Sequence, residues 1–454
     1  MRRPRLGLVV AGILAAVLGA TLTATPGTAT PGTARTPDVR PSAAARTAAG
    51  TAPTAARCPQ LRLAERWYGD NAELIQRVID RRGRCSWPGG RAPRQRPYAV
   101  FDFDNTLIKN DISDQTIFWM LGHDKILQPP GRNWRATSRY MTDAGARALR
   151  RACGSLARPG EPLPTRTDAR CADEILSVRK EQTTTTGEEV FAGYHHRRME
   201  AMYAWVGQVL QGYRPAEVRR LAARARTAAL EAPIGATQRV GSTRQTAWIR
   251  YYPEMRDLVR TLERAGIEPW IVSASPKEFA DVWGGGLGID RAHTIGVSQL
   301  TTRGRLNGHL EGCGGIPDGA DAIMTYVDGK RCFINKRVLG VDGPRALRPM
   351  PRALRPVLAG GDATTDVSMV KDATGVHVVL NRNSAELMCV AYDGDATGDR
   401  RWAINPMFIQ PLPQLDEPYP CSTTAALGPR GRERPARRDD GTVIPDQEDT
   451  VFAG

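Results

Sequence analysis

Val100-Phe101-Asp102-Phe103-Asp104-Asn105-Thr106 is the stretch whose reading decides the fold. The run that feeds it, Tyr98-Ala99-Val100-Phe101, is apolar throughout, as a buried strand of a parallel sheet is. Two carboxylates follow at i and i+2. If the chain turns there, both meet at the strand's carboxyl end, where open α/β sheets bind their ligands. One can attack as a nucleophile while the other moves protons. A plain Asp/Asn-rich turn carries the same letters without chemistry, so the rest of the chain has to decide.

Toward the N-terminus, residues 83–97 are rich in Pro, Gly and Arg and read as a loop. Before it, Leu61, Leu63, Trp67, Leu74, Ile75, Val78 and Ile79 are spaced for one or two helices at the edge of a domain. Residues 30–57 are Thr, Ala, Pro and Gly with few apolar anchors, and read as a disordered linker. Residues 1–29 read as an export signal: Arg2, Arg3 and Arg5, an apolar run from Leu6 to Leu22, then Gly27-Thr28-Ala29 for cleavage. The competing reading, an uncleaved anchor, is disfavoured because Ala and Gly make the run weakly hydrophobic. No stable membrane anchor is therefore expected, and the protein is placed outside the cell or in its envelope.

The eight cysteines suit an oxidising compartment. Short loop closure favours pairing sequence neighbours, Cys58–Cys85, Cys153–Cys171, Cys313–Cys332 and Cys389–Cys421. No zinc-type Cys/His spacing is present. The net charge is +15, of which residues 1–57 carry +6 and residues 423–454 carry −1, leaving +10 in between. Such a surplus draws anionic ligands, and weak binding to acidic envelope polymers is expected. No nucleic-acid motif accompanies it, so no specific nucleic-acid partner is expected.

Beyond the aspartates lies a long span, 112–247, with helical patterns at 117–121, 200–210 and 216–230, and an irregular part from Gln128 to Thr186. It reads as a helical cap inserted over the sheet's carboxyl end, where it would control access and water. The core is expected at 58–111 and 248–422. There Pro253 opens a helix, Pro269-Trp270-Ile271-Val272 reads as a strand and 277–284 as a helix. A strand and hairpin follow over His293–Leu300 and Arg305–Glu311, and a helix at 332–339. Pro356 to Gly361 leads into a short helix at 365–372, and Val376–Leu380 reads as a last strand. Strand–helix alternation of this kind argues an α/β, Rossmann-like doubly wound parallel sheet. Residues 423–454 are polar and read as a disordered tail.

Four polar sites, most of them at strand ends, then line up in order: Asp102-Phe103-Asp104-Asn105-Thr106, Ser273 after Trp270-Ile271-Val272, Lys330 in Asp328-Gly329-Lys330, and Gly361-Asp362-Ala363-Thr364-Thr365-Asp366. The set resembles the haloacid dehalogenase superfamily in its phosphatase branch, over about residues 97–385. Asp104 separates it from the dehalogenases, which need no acid at that place. The long insertion and Gly304-Arg305-Leu306-Asn307-Gly308 resemble the phosphoserine phosphatase-like group with its C1-type cap. The Asp-Phe-Asp-Asn-Thr and Val-Ser-Ala-Ser runs, in an exported chain, are similar to secreted phosphorylcholine phosphatases.

The resemblance implies a Mg²⁺ ion, which suits hard oxygen ligands. Asp102, Asp362 and the backbone carbonyl of Asp104 would hold it, with Asp366 as a further ligand or orienting a metal-bound water. It implies Asp102 as nucleophile, Asp104 as general acid and base, and Thr106, Ser273 and Lys330 as phosphate ligands. Ser275 rivals Ser273, and Lys336 rivals Lys330. Ser273 would otherwise only cap the following helix. The expected substrate is a small phosphorylated metabolite, phosphorylcholine-like if Trp119, Trp134 or Trp205 in the cap caged an ammonium group; core packing is the rival role for these tryptophans. The expected activity is hydrolysis through an aspartyl phosphate. The alternatives are a phosphotransferase of the same fold and a non-catalytic envelope-binding module.

Overall fold

Six parallel strands make the central sheet of the computed structural model, which describes residues 57–452. In chain order they are β1 (Tyr98–Phe101), β2 (Glu268–Pro276), β3 (Thr294–Val297), β4 (Leu358–Gly361), β5 (Val376–Asn381) and β6 (Trp402–Pro406). Their order across the sheet is β6-β5-β4-β1-β2-β3. The export signal (1–29) and all but the last residue of the linker (30–57) lie outside the described residues.

The period of two along β1 explains why its apolar run is unbroken. Ala99 and Phe101 join a cluster with Ile75, Ile79, Met255 and Leu258 from the helices Asn71–Arg82 and Pro253–Arg264. Tyr98 and Val100 join a second cluster with Phe333, Val370 and Leu387, from helices Asp328–Leu339, Val367–Lys371 and Ala385–Ala396. Both faces of the sheet are covered, as a doubly wound fold requires.

Phe101 pairs with Gly360 on one side and Ile271 on the other, so the chain leaves β1, β4 and β2 at neighbouring points. The span 112–247 leaves and returns beside these points. Its stem is a two-residue antiparallel pairing, Ile108–Lys109 against Arg250–Tyr251. Five helices and the hairpin Thr237–Val240/Thr243–Thr246 build it.

Three expectations are corrected. The irregular part at 128–186 holds two helices, Asp143–Cys153 and Ala169–Glu181, each opened by a side chain accepting a backbone N–H, Thr142 from Gly145 and Asp168 from Cys171. Their many arginines hid the apolar stripe, while the caps were in plain view. Val376–Leu380 is not the last strand: β6 follows, short and ending in Asn405-Pro406, a composition that reads as a turn. The tail is ordered through Phe452. It forms a hairpin, Ala426–Leu427 with Glu433–Arg434, and buries Ile444, Asp449 and Val451. Its anchors are few and far apart, so its average composition resembles disorder. Asp449 accepts hydrogen bonds from Asn381 (2.9 Å) and Tyr392 (2.8 Å), which fastens the tail to β5 and the helix beyond it.

The cysteines pair as expected: Cys58–Cys85, Cys153–Cys171, Cys313–Cys332 and Cys389–Cys421, with Cα atoms 5.2, 4.9, 6.2 and 5.5 Å apart. Loops of these lengths give about 3–4 kcal/mol each in the chain-entropy account. Among the described residues no helix is long and apolar enough to cross a membrane.

Candidate active site

Asp102 is the first residue past β1, and its N–H still donates to Gly360 O (2.9 Å), so the ladder itself fixes the side chain's origin. Asn105 has φ 60°, a left-handed turn residue that asparagine tolerates, and it folds the chain back toward the sheet. Asp362 follows β4 directly. Gly361 lets Asp366 approach, because a Cβ at that position would lie 2.5 Å from the Asp366 Cβ. Asp366 Oδ2 then accepts the N–H groups of Asp362 (3.0 Å) and Ala363 (3.1 Å).

Lys330 arrives by a strained route. Val327 has φ 43°, unusual for a β-branched residue. It is held there by its N–H on Thr365 O (3.0 Å) and by the Ser368 hydroxyl on its carbonyl. The helix therefore begins at Asp328, four residues ahead of the expected start at Cys332, and Lys330 falls in its first turn. Its ammonium, fully buried, lies 2.5 Å from Asp102 Oδ1 and 2.6 Å from Asp366 Oδ1. The rival Lys336 points elsewhere, to Glu311 at 2.6 Å and Gly312 O at 2.8 Å.

Asp102, Asp362 and Asp366 each offer a carboxylate oxygen within 4.8 Å of the others, all buried, a set that could hold a divalent cation. The Asp104 side chain stays outside it. Its Oδ1 accepts the Ile112 N–H (2.7 Å) and its Oδ2 the Ser275 hydroxyl (2.8 Å), which in turn accepts from Ser113 (2.8 Å). Of the two serines, Ser275 lines the cavity. Ser273 stands behind it, fully buried, its hydroxyl accepting the Ser275 N–H (3.1 Å). Thr106 is also fully buried and donates to Asp362 Oδ1 (2.8 Å), so it steadies a carboxylate.

The cavity these groups surround encloses ≈ 80 Å³, and its far wall comes from Asp111, at the junction of core and cap, and from Ser113, Arg179, Tyr203 and Val206 of the cap. Arg179 pairs with Asp114 (2.8 Å) and lies over the Tyr203 ring, 5.4 Å from its centroid. Past Asp111, Arg179, Tyr203 and Arg382 the space continues into a polar vestibule of ≈ 380 Å³. Arg382, just beyond β5, donates to Asp362 Oδ2 (2.8 Å). Its signal was available, a cation two residues past a strand. Arg179 had none, because its helix was not read. Trp134 and Trp205 are buried in the cap's interior, Trp119 stacks on His123, and none of the three lines the cavity.

Five carboxylates crowd this space, Asp102, Asp104, Asp111, Asp362 and Asp366, against three cations, Lys330, Arg179 and Arg382. Burial pushes Asp102 well up, Asp366 and Asp362 add to that, and Lys330 pulls it back. Burial also raises Asp362. Asp104 is pushed well up by burial, then by Asp111 and Asp102. Burial alone would lower Lys330, but Asp102 and Asp366 hold it above the usual lysine range. Carboxylates outnumbering cations in a buried site favour a bound metal ion.

Six parallel strands in this order, a helical insertion after β1 and carboxylates gathered where β1 and β4 end make a Rossmann-like α/β fold of the haloacid dehalogenase type. No family model matches the chain, and no curated protein resembles it significantly in sequence. Among solved structures, it is similar to a conserved protein of unknown function from Anaerococcus prevotii, with 20% identity and TM-score 0.54 over 74% of this chain and 92% of that one. A protein of unknown function from Bordetella pertussis matches at 15% identity and TM-score 0.39, over 68% and 98% of the two chains. A phosphoserine phosphatase, solved as a phospho-aspartyl intermediate analogue, matches at 13% identity and TM-score 0.26, over 63% and 87%. At 20% identity and TM-score 0.54, the likeness to the Anaerococcus prevotii protein is one of fold.

Proposed function

We propose that this protein is an exported phosphatase that hydrolyses small phosphate monoesters through an aspartyl phosphate. The observation that carries the reading is the meeting of Asp102, Asp362 and Asp366, with the Lys330 ammonium on Asp102 and Asp366. Export is supported by the four cysteine pairs and by the charged, apolar start of the sequence.

Only Oδ1 of Asp102 accepts a hydrogen bond among the described residues, which leaves Oδ2 to attack phosphorus. The P–O bond to the alcohol breaks as the Asp102 oxygen bonds to phosphorus. Asp104 delivers a proton to the departing oxygen; its burial beside Asp111 favours the protonated form this step needs. Asp104 then takes a proton from the water that cleaves the aspartyl phosphate, which frees phosphate and restores Asp102. Ser275 and Ser113 hold the Asp104 carboxyl through both steps. Lys330 offsets charge on the phosphoryl oxygens. Asp102, Asp362, Asp366 and the Asp104 carbonyl would hold Mg²⁺, which supplies the positive charge that lets a phosphate dianion approach carboxylates. The cavity accepts little beyond the phosphoryl group, so the alcohol portion extends into the polar vestibule.

The test is hydrolysis of p-nitrophenyl phosphate by the purified protein. We expect turnover with Mg²⁺, its loss with EDTA and its return when Mg²⁺ is restored; equal rates with and without chelator would remove the metal-assisted reading. Added glycerol would distinguish transfer, since a phosphotransferase forms glycerol phosphate in step with p-nitrophenol.

A further inference from the structure

A second cavity of ≈ 500 Å³ opens on the face of the sheet opposite the helices Asn71–Arg82 and Pro253–Arg264, and no step of the proposed reaction uses it. Its walls come from helices Asp328–Leu339, Val367–Lys371 and Ala385–Ala396, the cap segment at Arg197, and the C-terminal tail. We propose that it is an anion site for an oligophosphate chain.

Six cations line it: Arg197, Arg331, Arg355, Lys371, Arg434 and Arg437. Three are already matched. Arg197 holds both oxygens of Glu386 (2.6 and 2.7 Å), Arg331 both of Asp372 (2.5 and 2.9 Å), and Lys371 pairs with Asp439 (2.6 Å). The other three, Arg355, Arg434 and Arg437, have no carboxylate within 4.0 Å among the described residues. One acid in the lining, Asp328, is likewise without an ion-pair partner, so the cavity keeps a net excess of two positive charges.

Two of the matched pairs, Arg197–Glu386 and Arg331–Asp372, form a largely buried wall, while Lys371–Asp439 lies at the surface. Arg197 and Glu386 are nine-tenths or more buried, so this pair does not collapse into the space. The other three guanidiniums stand around it: that of Arg434 donates no hydrogen bond among the described residues, those of Arg355 and Arg437 each donate one to a backbone carbonyl, Met350 O (2.5 Å) and Gly441 O (2.7 Å), and Arg434 and Arg437 are exposed on the tail. A guanidinium presents a planar fork of donors that suits phosphate oxygens. No aromatic side chain lines the cavity, so nothing there would stack on a nucleobase. The volume exceeds that of one phosphate and suits several linked ones.

The test is calorimetric titration of the full chain with tripolyphosphate, beside AMP. The wild type should bind tripolyphosphate at one saturable site at least about tenfold more tightly than AMP. The Arg434→Glu/Arg437→Glu variant, both positions being exposed, should lose at least about tenfold in affinity and keep its p-nitrophenyl phosphate kinetics and circular dichroism. A control with the same charge change on the exposed loop, Arg91→Glu/Arg94→Glu, should bind like wild type. Unchanged affinity in the tail variant, an equal loss in the loop control, or AMP binding as tightly as tripolyphosphate would each overturn the assignment. Absence of phosphatase activity would leave it standing, because the readout is binding alone.

Discussion

Core and cap line the same carboxylate-rich cavity but hold their side chains by different means. Asp102 and Asp362 are the residues that directly follow β1 and β4, and Asp366 is fixed by backbone N–H groups three and four residues away. Their geometry is set by the sheet. Arg179 and Tyr203 stand on separate cap helices, Ala169–Glu181 and Ala201–Gln208, and the arginine is steered by Asp111 and Asp114 at the start of a third, Ile112–Gly122. Their geometry depends on how helices pack. Under the proposed function the lesson is a division of labour: the core would fix the reaction, and the cap would decide which alcohol is presented to it.

The largest effect should come from Asp102→Asn, which removes the proposed nucleophile; turnover of every ester should fall by at least about 10³-fold. Asp104→Asn should cost about 10²–10⁴-fold, again across all substrates, as loss of a general acid does. A sharper probe compares two lysines on one helix. Lys330→Met should lower kcat by about 10²-fold through lost charge stabilisation, while Lys336→Met leaves it unchanged. Equal effects would mean that the buried ammonium has no catalytic part. The smallest effect should belong to the cap: Tyr203→Leu should re-rank a panel of phosphorylated metabolites by about tenfold in kcat/KM without lowering them all together. If core variants re-rank substrates and cap variants scale them uniformly, the division fails.

The same contrast governs what could be read from the residues. Asp102, Lys330, Asp362 and Asp366 each sit in a short run with a strand or helix signal beside it, and a carboxylate after a buried strand has one place to go. Arg382 stands one residue past β5, but the apolar run that reads as that strand ends at Leu380, one residue short, so this cation is not singled out. The serines were harder. The pairing of β2 with β3 shifts register between Val272 and Pro276, so alternation no longer says which hydroxyl faces the cavity. Arg179 and Tyr203 were illegible because their approach rests on contacts between segments far apart in sequence. The tail misled for another reason: three or four buried side chains suffice to order a polar segment when Cys421 and Asp449 already pin it.

The four cross-links join cysteines 27, 18, 19 and 32 residues apart, and none encloses or interleaves with another. A chain threaded amino end first can therefore close each link as its second sulfur emerges, with no earlier thiol left waiting for a distant partner. Oxidation can keep pace with synthesis, and wrong pairings have little time to form, so maturation should place small demands on an isomerase.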